Sequence, residues 1–147
     1  MKKYFIILTF LAFFFNSSAQ DNYKHSIGLR GGPLIGVSYK NFIWPINGVL
    51  EVIGGFNFAN GRFVSLTGLY EHHLFINYST NFYGGGGITF GNNKDNFILQ
   101  LETIVGIEYL LDFVPFNISL DYKPGYSILD NKLVFNEFGV SLRYILE

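Results

Sequence analysis

Glu71-His72-His73 carries the side chains of this sequence best suited to hold a cation or pass a proton. Its spacing limits what it can do. In an extended chain successive side chains point to opposite sides, so His72 and His73 cannot chelate one ion together. Glu71 and His73 do share a side, but a metal centre would need a third ligand from elsewhere in the chain. The expected arrangement is a hydrogen-bonded Glu71–His73 pair on one face, His72 on the other, and no metal or other cofactor. Tyr83-Gly84-Gly85-Gly86-Gly87 has the glycine density of a phosphate cradle. A cradle also needs a strand-to-helix turn with Lys and Ser/Thr at fixed spacing, and none follows. The glycines read instead as strand positions where the chain bends or a bulky neighbour, such as an aromatic ring, comes close.

Hydrolytic chemistry needs a serine near a histidine that an acid orients. The lipid A deacylases place His and Ser two residues apart on one strand face. Here His72 is followed at that distance by Leu74 and His73 by Phe75. A palmitoyl-transferring barrel would need an apolar interior, which the charges discussed next oppose. There is no cysteine, hence no disulfide framework and no thiol chemistry. The chain is not expected to be an enzyme.

The remaining chemistry-bearing residues are charges: Arg30, Lys40, Glu51, Glu71, Glu102, Glu108, Asp121, Lys123 and Arg143. With His73 they fall on the polar side of runs that alternate with period two. Phe116, Ile118, Leu120 and Tyr122 alternate with Asn117, Ser119, Asp121 and Lys123, and Phe138, Val140, Leu142 and Tyr144 with Gly139, Ser141 and Arg143. The same rhythm sets Leu50, Val52 and Phe56 against Glu51 and Gly55, and Val64, Leu66 and Tyr70 against Ser65, Thr67 and Glu71. It also sets Leu99, Leu101, Val105, Ile107 and Tyr109 against Gln100, Glu102, Gly106 and Glu108. Such alternation predicts strands with one apolar and one polar face.

Turn signals separate these runs: Gly31-Gly32-Pro33, Trp44 to Gly48, Ala59-Asn60-Gly61, Asn77 to Asn81, Gly91-Asn92-Asn93, Val114-Pro115 and Asp130-Asn131-Lys132. Seven breaks predict about eight strands in a meander of hairpins. A single long strand from Ile27 to Tyr39, bulged at Gly31-Gly32, is the alternative at the start. The fold class expected is all-β: a closed, antiparallel, up-and-down transmembrane β-barrel of about eight strands.

The chain start reads as an export signal. Lys2 and Lys3 precede an uncharged apolar stretch from Tyr4 to Phe15, then Asn16-Ser17-Ser18-Ala19, with cleavage expected after Ala19. The apolar core is shorter than the ~20 residues of a spanning helix. Residues 1–19 are thus expected to be a signal peptide and 20–147 the barrel domain. Without Lys2 and Lys3, eight basic residues face eleven acidic ones, a net charge of −3 that offers no footprint for nucleic acid. Beyond the signal no apolar run is long enough for a membrane helix. A content of 49% hydrophobic, 19% aromatic and 14% charged residues, with 17 glycines, points to many short aromatic-rich strands.

Period two does not say which face points inward. A soluble ligand-binding barrel puts its apolar face inside, a membrane barrel outside. The charges within strands, of both signs, suit a paired interior, since a charge at the lipid midplane costs roughly 2–4 kcal/mol. Aromatic residues at strand ends or on the apolar face (Phe42, Trp44, Phe58, Phe63, Tyr70, Phe75, Phe82, Phe113, Phe116, Tyr122 and Tyr144) suit interfacial girdles. The alternating run Phe138, Val140, Leu142, Tyr144 resembles the C-terminal assembly signal of outer-membrane proteins, though Ile145-Leu146-Glu147 follow its aromatic residue. Ile27 to Gly32, Gly36 to Phe42, Leu66 to Glu71, Gly106 to Tyr109 and Phe116 to Pro124 resemble the small porin-like outer-membrane barrels of Gram-negative bacteria. The resemblance implies placement in the outer membrane, surrounded by its lipid, after insertion by the barrel-assembly machinery. It identifies no catalytic motif, ligand or partner protein.

Eight strands enclose an interior that side chains just fill, so a sealed lumen rather than an open pore is expected. A structural or surface-interaction role follows. The rivals are a soluble periplasmic or secreted lipocalin-like barrel binding an apolar ligand, and a narrow channel or lipid-active enzyme in the membrane fold. The lipocalin Gly-x-Trp motif is missing around Trp44.

Overall fold

The computed structural model describes residues 23–43, 46–57, 62–135 and 137–146. The signal peptide expected over residues 1–19, Trp44, Phe58 and the turn at Ala59-Asn60-Gly61 lie outside these. The described chain is strand throughout, without a helix: β1 (His25–Gly31), β2 (Ile35–Ile43), β3 (Gly48–Asn57), β4 (Phe63–Phe75), β5 (Thr80–Asn93), β6 (Asn96–Leu110), β7 (Phe116–Tyr122), β8 (Gly125–Ser127), β9 (Lys132–Val134) and β10 (Phe138–Leu146).

β1 to β7 pair antiparallel in chain order, β7 pairs with β10, and β10 returns to β1 in a register running from His25↔Leu146 to Gly31↔Val140. The sheet therefore closes on itself, and the three-residue β9 is the one strand paired on a single side among the described residues. β8 prolongs the line of β7. Both lie against β6, β7 on Val105 to Leu110 and β8 on Gln100 to Glu102. Pro124 has no N–H for the ladder and interrupts the strand, while its carbonyl still accepts from the Thr103 N–H at 2.9 Å. β9 prolongs β10 in the same way and pairs with β8. The ten segments thus form eight staves, the number expected.

The first hairpin settles the alternative at the start. Arg30 pairs with Gly36 and Leu29 with Val37, so Ile27 to Tyr39 folds back on itself. Asn77 caps its turn by accepting from the N–H groups of Ser79 and Thr80, and β5 starts at Thr80 rather than after Asn81. Gly91-Asn92-Asn93 stays within β5. The turn there falls two residues later, because Asn93 pairs with Asn96 and Lys94 takes a left-handed backbone (φ 55°). Gly28 sits at the closing seam, where a Cβ would strike the Leu142 carbonyl, so only glycine lets β1 approach β10 this closely.

Alternation along each stave sorts side chains cleanly. Every Asp, Glu, Lys and Arg within β1 to β7 and β10 is buried inside: Arg30, Lys40, Glu51, Glu71, Glu102, Glu108, Asp121 and Arg143. The outward set is apolar and exposed, as in Leu29 (68%), Val64 (61%), Leu120, Val140, Leu142 and Tyr144. Phe42 departs from its expected place in an outward girdle. It points inward onto Tyr23 and Val49, and Phe75, Leu110 and Ile145 pack against that cluster. These residues stopper the barrel end that carries Tyr23 and Leu146. The reason is parity: Phe42 lies two residues from Lys40 and so shares its face.

Candidate functional site: the barrel interior

The interior is built in tiers of charge. In the middle tier, β2 contributes Lys40, β3 Glu51, β4 Glu71 and His73, β6 Glu108 and β10 Arg143, all of them fully buried. Lys40 Nζ donates to Glu71 Oε2 at 2.8 Å, with carboxylate oxygens of Glu51 and Glu108 at 3.9 and 3.8 Å. The Arg143 guanidinium donates to Glu51 Oε1 (2.6 Å), Ser38 Oγ (2.8 Å) and Ser119 Oγ (2.7 Å), and Ser38 in turn donates to Glu51. Tyr23 Oη donates to Glu108 Oε2 at 2.8 Å from the stoppered end.

His73 Nε2 lies 3.0 Å from Glu71 Oε2, the pairing that their shared parity predicts. Its ring stacks on Tyr83 at 4.9 Å and meets Phe42 edge-on, and Lys40 Nζ sits 4.0 Å above the same Tyr83 ring. Among the described residues no group of three His, Cys, Asp or Glu side chains could hold a metal ion.

Two further tiers lie toward the opposite end. Arg30 grips Asp121 through both guanidinium nitrogens, at 2.5 and 2.6 Å, and Tyr83 Oη donates to Asp121 at 3.2 Å. Lys123 Nζ lies 2.7 Å from Glu102 and 2.8 Å from Glu137. In the glycine run of β5 a Cβ at Gly85 or Gly87 would strike a backbone carbonyl of β4, that of Tyr70 or Gly68, so a neighbouring strand and not a ring comes close there. The Tyr83 ring lies over Gly106 and the Arg30 guanidinium over Gly139, and a Cβ at either would strike the group above it.

All ten residues expected in the interior polar network point inward, and each contacts another member of that set or its hydroxyl neighbours. His72 lies on the other face, partly exposed. The run Phe138, Val140, Leu142, Tyr144 faces outward on β10 and pairs with both β1 and β7. Sequence reasoning missed the apolar part of the interior: Val49, Ile53, Leu69, Ile104 and the aromatic Tyr83 and Tyr23. Parity was the available signal, since Val49 and Ile53 flank Glu51 at two residues and Leu69 precedes Glu71 by two. Glu137 carried no signal, because it falls between β9 and β10 where alternation lapses.

With these side chains in place little space is left inside. A cavity of about 20 Å³ lies between Arg30, Ser65, Thr67, Lys123 and Glu137 at the end opposite the stopper. That is room for about one water molecule. The arrangement holds its charges in fixed pairs shielded from bulk water. Comparison with protein-family models, with curated proteins and with solved structures returned no match.

Proposed function

We propose that this chain is an integral outer-membrane β-barrel protein with a sealed polar lumen, acting as a structural or surface-interaction element of the envelope. The observation that carries the reading is the inversion of its faces. Lys40, Glu51, Glu71, Glu108 and Arg143 are fully buried, while Leu29, Val37, Val64, Leu66, Leu120 and Leu142 are exposed. In water this arrangement would leave a continuous apolar band unburied, at roughly 25 cal/mol for each Å². In a bilayer the same band is solvated by lipid, and a closed barrel satisfies its backbone internally.

The sealed interior favours a structural role over conduction or catalysis. A lipocalin-like carrier has less support, because its ligand would need an apolar chamber where the charge tiers now stand. The deciding experiment is fractionation of cells expressing the full chain, with each sample run on a gel unheated and boiled. Recovery with the outer membrane and a heat-dependent mobility shift is the expected result. Recovery in the soluble fraction without a shift would overturn the reading.

A further inference from the structure

On the outer surface β4 and β5 form a ladder of side chains that changes character along its length. The outward pairs run Tyr70↔Gly86, Gly68↔Ile88, Leu66↔Phe90 and Val64↔Asn92, and one step beyond the last ladder pair, Phe63↔Asn93, stand Arg62 and Lys94. At the lower rungs the wall dips into an apolar groove of about 560 Å³. Gly68 and Gly86 form its floor, with Leu50, Val52, Leu66 and Phe90 among its sides. A side chain at Gly68 would meet nothing within 4 Å, so that half of the floor is open space, whereas at Gly86 a Cβ would come within 3.1 Å of the Glu102 carbonyl. Above it a second hollow is lined by Arg62, Val64, Asn92 and Lys94.

Two cations therefore share one hollow at the mouth of an apolar groove. Like charges facing each other across neighbouring strands repel, so an arrangement that keeps both is better served by an anion between them. Lys94 occupies a left-handed turn position that glycine or asparagine would fill with less strain. The dimensions fit one class of occupant. The six residue steps from Gly68 to Arg62 span about 20 Å at ~3.3 Å each. At a strand tilt of roughly 40° that is ~15 Å of depth, one leaflet of a hydrocarbon core ~30 Å thick.

We propose that this ladder is a binding site for an anionic, phosphate-bearing lipid. An acyl chain lies on the Gly68–Gly86 floor between Leu66 and Phe90, and the phosphate is held by Arg62, Lys94 and the Asn92 amide. The inference rests on the membrane reading above.

The test uses the full chain folded in detergent micelles, with the heat-dependent mobility shift recorded first on every sample. Phosphatidylglycerol and phosphatidylcholine are then titrated, and bound lipid is counted by native mass spectrometry. One phosphatidylglycerol per barrel, bound in preference to phosphatidylcholine, is expected. Arg62→Gln/Lys94→Gln should weaken it by about 25-fold, roughly fivefold for each cation at an anionic surface. Gly68→Leu fills the floor without touching the charges and should weaken both lipids, leaving the mobility shift intact. Equal retention of the two lipids, or phosphatidylglycerol binding untouched by either variant, would overturn the site while leaving the membrane reading in place. A wild-type sample with no mobility shift and no micelle would overturn the membrane reading instead.

Discussion

Arg143 draws partners from three other staves: Ser38 on β2, Glu51 on β3 and Ser119 on β7. Breaking a buried pair costs more than never having had it, because the surviving charge is left uncompensated. Arg143→Met should therefore destabilise the folded barrel by about 3–5 kcal/mol, measured by urea unfolding in lipid vesicles. Arg143→Met/Glu51→Met, which removes both charges, should recover more than half of that loss. An additive double variant would mean that the pair is not coupled. Gly139 gives a steric counterpart. Its replacement by Val forces the Arg30 guanidinium off its seat above Asp121, for an expected loss of about 1–3 kcal/mol. In an Asp121→Asn background, where the grip is already weakened, the same replacement should cost measurably less.

At the scale of the strand, neighbouring residues should respond in opposite ways to the same kind of change. Ser141 is buried inside β10 and Leu142 is exposed outside it. Leu142→Arg should slow or block insertion into vesicles, at a cost of roughly 2–4 kcal/mol near the midplane, and would be harmless on a surface facing water. Ser141→Leu overpacks the tier beside Arg30 and should lower the urea midpoint in either setting. Much of this was legible in the sequence. Strict alternation in Phe116 to Lys123 and Phe138 to Tyr144 gave the parity of the charges, and glycine, proline and asparagine marked the hairpins. Phe42, Val49, Ile53, Leu69 and Ile104 were not read as interior residues although parity with Lys40, Glu51, Glu71 and Glu102 placed them there, because hydrophobicity alone assigns an apolar residue to the outer face. Nor could the sequence say which charges meet, since Arg30 and Asp121 lie 91 residues apart and Arg143 and Glu51 92. Only the closed register brings them together.

For the whole molecule, the charge tiers and the stopper around Tyr23 and Phe42 stand one behind another across the interior. Planar bilayers containing the purified protein should show no reproducible large conductance. Stable steps of nanosiemens size would mean that the tiers part in the membrane and that the channel reading is the better one. Deleting residues 138–147 removes the stave that pairs with both β1 and β7. The truncated chain should lose the heat-dependent mobility shift altogether, not show it at reduced stability, because two open edges replace one seam.

The seam also orders events in time. The stave that closes the ring is the last to leave the ribosome, and it brings Arg143, partner of Ser38 across 105 residues of chain. Until it docks, Glu51 and Glu108 lack that cation and Arg30 waits on Asp121, so an unfinished sheet keeps one wettable face. A half-built barrel is thus amphipathic, water-tolerant on one side and lipid-seeking on the other. Closing the β1–β10 seam is what withdraws that wettable side from solvent.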